Sequence, residues 1–452
     1  MYTMKLIRKL ILFALISFAI QSGMAQEIKT FSVDEAVAFG LENNYEVINS
    51  EKDVESAKAR VRESTAMGLP QINGTVDYAD NLARPTVILP GEMVGAPEDV
   101  EVQFGTKYSG TLGATASQLI YSGEYLIGLK GSRKFLEKTT VDFFKNKIAV
   151  RQKIAESYYN VLATEEALLI IDTTLVITKN LADETRQVYE VGFAEDIDVD
   201  QLDLLVADLE ASQIYFQNQL YITHAFLKFY LGLKENDSIV LTDNYENLLG
   251  KWEQSTILLQ PFSYNRNVDY ISMNKQKELS NLQVDLQKAA YQPTLSANIN
   301  IQTQAQRDTW NFFDFDQSWY HSSAFRVSMK IPILSGGERK AKVTQARIAY
   351  EQVEVLETQL ETQLKLQYNT TRNEYLNAFS VYQNKEKNRK ISEKIYLKTT
   401  EKFKEGMASS LDILNTQNQF LNSQRDYINA INALLKAGLD LELILIDATQ
   451  NQ

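Results

Sequence analysis

Leu295-Ser296-Ala297-Asn298-Ile299-Asn300-Ile301-Gln302 alternates apolar and polar residues at every step. Successive side chains of an extended strand point to opposite faces, so this stretch builds a ribbon with one greasy side and one wet side. Three other segments share the pattern. Ile72, Gly74, Val76 and Tyr78 alternate with Gln71, Asn73, Thr75 and Asp77. Tyr108, Gly110, Leu112, Ala114 and Ala116 alternate with Ser109, Thr111, Gly113, Thr115 and Ser117, and Phe325, Val327, Met329 and Ile331 with Ala324, Arg326, Ser328 and Lys330. Two environments select such strands: a soluble sheet packed on helices, or a barrel wall between hydrocarbon and water.

The sequence around the strands is poor in punctuation. It has Gly 19 and Pro 7 in 452 residues, about half the usual share. Neither residue occurs between Gly131 and Gly192, or between Gly337 and Gly406. A helix filling either gap approaches 90–100 Å at about 1.5 Å per residue. Breaker-free stretches Phe193 to Leu231 and Met407 to Ala437 follow, so each pair predicts a helical hairpin turning near Gly192 or Gly406. Two further helices, about Val33 to Ala66 and about Ser263 to Tyr291, precede the strand pairs. In the second long helix Ala349, Val353, Leu356, Leu360, Leu364, Tyr368, Thr371, Tyr375, Phe379 and Tyr382 form a seam with a period of about 3.67. That is nearer an 11-residue repeat than a heptad and keeps helices nearly straight, although an ordinary long coiled coil is the simpler reading.

Composition narrows the chemistry. Cys is absent and His is 2 (His224 and His321), which removes disulfides and thiolate sites and leaves little for imidazole catalysis or zinc. No phosphate-binding loop, nucleophile elbow or His/carboxylate cluster appears. The expectation is no enzyme, no cofactor and no metal. Lys5, Arg8 and Lys9, then the apolar run Leu10 to Ile20 and Gly23-Met24-Ala25, read as a secretory signal over 1–25. Its removal would take the net charge from −12 to −15, which argues against nucleic acid as a partner. No later stretch has about 18 consecutive apolar residues, so passage through a bilayer would have to use strands.

Between the third and fourth strands lie Trp310, Phe312, Phe313, Phe315, Trp319 and Tyr320. Such rings gather at membrane–water interfaces; a binding loop or small local core is the competing account. The elements also occur twice in one order. Leu69-Pro70 answers Gln292-Pro293, and Val191-Gly192-Phe193 through Val199 answers Glu405-Gly406-Met407 through Ile413. The organisation read from this is a first repeat at 26–240, a linker at 241–262 and a second repeat at 263–452. The offset shrinks from 223 to about 213 after the strands, which places some ten extra residues between the first two, in the loop Leu82 to Gly105. Four strands cannot close a barrel, and an open edge in hydrocarbon strands unpaired N–H and C=O groups, so several copies must share one.

At this point the residues resemble the outer-membrane efflux protein family, the TolC-like channels, over nearly the whole mature chain. Phe31-Ser32-Val33-Asp34-Glu35-Ala36-Val37 resembles the family's opening helix, Leu69-Pro70-Gln71-Ile72 the lead-in to its first strand, and Ile331-Pro332-Ile333-Leu334-Ser335-Gly336-Gly337 its second strand-to-helix junction. The resemblance implies a mainly α chain with a small β part. Long antiparallel hairpins would form an α-barrel, and four strands per chain would join a shared twelve-stranded outer-membrane barrel of a homotrimer extending into the periplasm. It implies an export duct of a tripartite efflux or type I secretion system, working with a periplasmic adaptor and an inner-membrane pump. A periplasmic coiled-coil adaptor is the alternative function. Val191, Gly192, Phe193, Gly406 and Met407 would be adaptor-contacting tips. Asp412, Asn415 and Asp198 would fall at the entrance constriction, whereas the simpler account of Asp196 or Asp198 is that it caps the helix N-terminus or complements its dipole. Two positions depart from the family's best-known pattern: Asn415 replaces a second acid, and Ala408 replaces a latch arginine.

Overall fold

The structure, a computed structural model, describes residues 29–253, 256–314 and 316–451. The signal segment 1–25 and Phe315 lie outside the described residues. The chain is mainly helical with a small sheet. In order it runs β1 (Lys29–Phe31), α1 (Val33–Asn43), α2 (Tyr45–Ala66), β2 (Gln71–Asp80), β3 (Thr86–Leu89), α3 (Gly91–Val94), β4 (Val100–Gln103), β5 (Tyr108–Tyr121), α4 (Gly123–Glu190) and α5 (Asp196–Leu231). It continues with β6 (Ile239–Leu241), α6 (Tyr245–Glu253), α7 (Val268–Ala289), β7 (Thr294–Arg307), β8 (Tyr320–Lys330), α8 (Glu338–Lys404) and α9 (Ser410–Leu445). Helix, strand pair and hairpin thus come twice, with helices of 22, 68 and 36 residues in one copy and 22, 67 and 36 in the other.

Two compact units cut across these copies. One holds Thr140–Ser272, Thr358–Gln452 and the described residues up to Asp53; the other holds Val54–Thr139 and Met273–Glu357. The second unit carries one four-stranded sheet in the order β2-β5-β7-β8, antiparallel throughout. The strands extend past the alternating stretches, except that β8 stops at Lys330; Pro332 has no N–H for the ladder and restricts Ile331 before it. The extra loop between β2 and β5 is itself folded: β3 and β4 pair antiparallel around the single turn α3.

In the other unit, the helix expected from Val33 to Ala66 is broken at Asn44, which has extended backbone (φ −67, ψ 135). The Asn44 amide Nδ2 donates to the Tyr230 carbonyl at 2.7 Å and its Oδ1 accepts from the Glu46 N–H at 2.8 Å. One buried side chain therefore ends α1, starts α2 and ties both to α5. Stretch 241–262, read as a linker, carries α6 and a 3₁₀ turn at Ile257–Leu259, and β6 lies parallel to β1. The fully buried Tyr158 hydroxyl donates to the Phe31 carbonyl at 2.8 Å and accepts from the Asp243 N–H at 3.3 Å, fastening that strand pair to α4. Ile154, Val161, Leu227, Leu231, Ile431 and Leu434 fill the core around it. The α8 seam is buried from Leu364 through Tyr375 and Tyr382, while Ala349 and Leu356 are exposed. It then continues through Ser392, Tyr396 and Thr400, buried residues that an apolar pattern passes over.

Candidate functional site

Strand register decides which side chains share a face of the sheet. Val76 pairs with Leu112, Ile72 with Ala116, and Ala116 in turn with Ile299. Ile299 pairs with Phe325, Ala297 with Val327 and Leu295 with Met329. The apolar residues of all four alternating stretches therefore fall on one continuous face. Ile72, Val76, Tyr78, Leu112, Ile299, Ile301, Phe325, Val327 and Met329 on that face are 44% to 80% exposed. An uncovered apolar patch of this size marks contact with another phase or another protein. Asn73, Thr75, Thr115, Asn298, Asn300, Gln302, Arg326 and Ser328 share the opposite face, where the Asn300 amide donates to Thr115 Oγ1 at 2.9 Å. Among the described residues the outer strands, β2 and β8, each have only one neighbour.

The aromatic run folds back on the end of this apolar face. Phe312 meets Tyr78 edge-on at 5.7 Å and Trp319 at 6.2 Å, and it presses on Gly110. Trp310 and Phe313 pair at 5.7 Å and stay largely exposed, as does Tyr320.

The two hairpin turns, in the other unit, are built alike. Gly192 (φ 83) and Gly406 (φ 70) take the left-handed conformation that glycine adopts without a Cβ penalty. The Gly192 N–H donates to the Tyr189 carbonyl (2.8 Å) and the Phe193 N–H to that of Val188 (3.0 Å). Gly406 to Phe403 (2.9 Å) and Met407 to Lys402 (2.8 Å) repeat this arrangement, so both long helices end in the same double-bonded cap. Val191, Phe193 and Met407 project into solvent, Phe193 at 86% exposure.

The next helices begin within a few residues. Ser409 caps α9: its Oγ accepts from the Asp412 N–H at 3.2 Å, and Asp412 Oδ2 accepts from the Ser409 N–H at 2.9 Å. These hydrogen bonds favour the charged form and hold the Asp412 carboxyl below its ordinary value. The N-cap residue of α5 is Glu195, Asp198 completes its capping box, and Asp196 and Asp198 both lie in the first turn, where they complement the helix dipole. Asp198 accepts from the Glu195 N–H at 3.4 Å, and its other oxygen accepts from the Ser410 hydroxyl. The fold thus joins Asp198 to the start of α9, whereas Asp412 and Asn415 remain exposed. A cleft of about 800 Å³ lies between the turns, lined by Val188, Phe193, Phe403, Ala408 and the ion pair Glu184–Lys404 at 2.7 Å. Leu181, Leu202, Leu205 and Ile413 close the core behind it.

Sequence reading did not find the Ser410–Asp198 and Glu184–Lys404 ties; no pattern within one helix signals a partner more than 200 residues away. Among the described residues there is no group of His, Cys, Asp and Glu that could hold a metal ion. His224 lies half-buried 3.4 Å from Glu165.

The comparisons extend this. The outer membrane efflux protein family model matches residues 40–233 and 265–445. The chain is 20% identical over 396 residues to the outer membrane protein TolC of Vibrio cholerae, covering 86% of this chain and 84% of that one. The crystal structure of the outer membrane protein VceC from Vibrio cholerae superposes with a TM-score of 0.66 at 16% identity, covering 92% of this chain and 95% of that one. The Campylobacter jejuni CmeC outer membrane channel gives 0.68 at 16% identity, with 93% and 88% covered.

Proposed function

Because the chain belongs to the outer membrane efflux protein family, and is an outer-membrane efflux channel extending into the periplasm, we propose that three copies close one twelve-stranded barrel and that the turns at Gly192 and Gly406 receive a periplasmic adaptor. The observation that carries this reading is the strand register. One face of the sheet is apolar and uncovered, the other is polar, and both outer strands have an open edge. Unpaired backbone groups in hydrocarbon cost several kcal/mol each, so β8 of one copy must pair with β2 of the next. Four strands per chain keep that junction antiparallel. Two copies would give eight strands, whose interior side chains can fill; three give a lumen.

Family members work as trimers with adaptors and inner-membrane pumps. For this chain the exposed Val191, Phe193 and Met407 beside the cleft are the adaptor surface, and energy for transport comes from the pump. Trp310, Phe313 and Tyr320 are the interface belt. The periplasmic-adaptor alternative is not favoured, because both repeats feed one sheet instead of separate soluble β-domains. The purified chain is expected to be trimeric in detergent and to conduct across planar bilayers. A strictly monomeric, water-soluble product would sink the reading.

Asp412 repeated by rotational symmetry makes a negative ring at the entrance. Asp412→Ala is expected to lower single-channel cation selectivity without abolishing conductance; unchanged selectivity would remove Asp412 as the filter. The pH dependence follows from the depressed carboxyl. Selectivity, and the carboxylate's contribution to stability, should persist below the ordinary aspartate value and be lost only as pH falls through the lowered one. Ser409→Ala should move that loss to higher pH, read from selectivity against pH.

A further inference from the structure

Every residue of the two edge strands, β2 and β8, is exposed. Hydrogen-bonded partners, followed across the sheet, put Gln71 level with Ser117, Asn298 and Arg326. Arg326 is four residues short of Lys330, where β8 ends, so β2 starts four residues higher on the ladder than β8. Copies joined without any displacement would leave the Lys330 end of β8 bare. A displacement of four residues makes the ends flush, with Gln71 of one copy opposite Lys330 of the next and Asp80 opposite His321. All ten residues of β2 then gain a partner.

Only an even displacement keeps the apolar faces of neighbouring copies on one side, because a slip of one residue turns a strand over. Strands rise about 3.4 Å per residue and lie about 4.8 Å apart. Four residues per copy therefore tilt the strands of a closed barrel by about 35°, inside the range of about 35–45° that such barrels keep. Two residues per copy would give only about 20°. Six would give about 47° and set Gln71 against Pro332, which has no N–H for the ladder. The side chains fit the four-residue displacement as well. On the apolar face Gly74 meets Val327 and Val76 meets Phe325, a small residue against a larger one each time. Asp80 and His321 are ionisable residues on that same face, and they meet each other at its loop end. On the polar face Arg326 lies diagonal to Asp77, within reach of a long side chain. Both are exposed, and among the described residues neither has an ion pair within the chain.

We infer that β8 docks on β2 of a second copy in this register, from Lys330 against Gln71 to His321 against Asp80, and that Arg326 pairs with Asp77 of that copy across the junction. The inference rests on the shared-barrel reading and adds the residues by which one copy recognises the next. Backbone pairing supplies the adhesion, and the Arg326–Asp77 and His321–Asp80 pairs select this register over its neighbours two residues away.

The chain has no cysteine, so introduced thiols report alone. Asn73→Cys with Ser328→Cys, directly opposite in this register, is expected to give disulfide-linked dimers and trimers on a denaturing gel once the purified trimer is oxidised with copper–phenanthroline. Thr75→Cys with Ser328→Cys, two residues out, should stay largely unlinked; linkage there instead would mean the six-residue displacement and overturn the register. Arg326→Glu should lower the yield of heat-resistant trimer about tenfold, because every junction changes at once. Adding Asp77→Arg should restore it. A trimer in which neither thiol pair links, or in which Asp77→Arg fails to rescue, overturns the register and leaves the channel standing. A wild-type chain that is monomeric in detergent overturns both.

Discussion

Exchanging Arg326 and Val327 is expected to abolish the heat-resistant oligomer and outer-membrane insertion, although composition and charge are unchanged. Arg326 faces the polar side beside Asn298, and Val327 faces the apolar side beside Ala297. The swap moves one guanidinium a single residue, from water into hydrocarbon. Arginine on the lipid face of a barrel costs about 2–4 kcal/mol near the midplane, and every copy of a closed barrel would bear it together. Ser328→Arg on the polar face is the control and should assemble normally. A double variant that inserts and conducts like the native chain would mean that the exposed apolar face does not lie in lipid.

Gly232→Ala is expected to destabilise the helical unit far more than Gly192→Ala or Gly406→Ala. All three glycines have positive φ: 72, 83 and 70. The left-handed conformation alone costs an L-residue roughly 1–2 kcal/mol. At Gly192 and Gly406 an added Cβ meets nothing within 4 Å, so that is the whole penalty. At Gly232 it would lie 2.2 Å from the Asn43 carbonyl oxygen, and backbone cannot swing aside as a side chain can. Relief would require shifting the α1–α2 junction and its Asn44–Tyr230 hydrogen bond of 2.7 Å. The total should exceed about 3 kcal/mol, read as loss of folded yield and a lower unfolding temperature. Equal effects at all three positions would refute the close approach.

Much of this architecture is local and hence legible. The strand faces follow from period two, the hairpins from Gly-free and Pro-free stretches bounded by Gly192 and Gly406, and the repeated order from matching segments. What escaped reading depends on distant partners. Asn44 interrupts a helix because a carbonyl of α5 stands within reach of its amide, and nothing near residue 44 announces Tyr230. The α8 seam beyond Tyr382 was missed because Ser392 and Thr400 are buried against another helix while looking polar in sequence. The candidate entrance residues were legible as types and positions, not as contacts. Asp198 reads as a cap, yet it also holds Ser410 of the other hairpin.

The open outer edges of β2 and β8 have a consequence for the life of a newly made chain. Each copy is adhesive at both flanks and the flanks are complementary, so successive copies add in one rotational sense. On the proposed assembly that growth ends when the third copy returns to the first; an edge that meets a strand outside that register recruits further strands instead. Pairing of the two edges that waits until copies meet at the membrane avoids such recruitment.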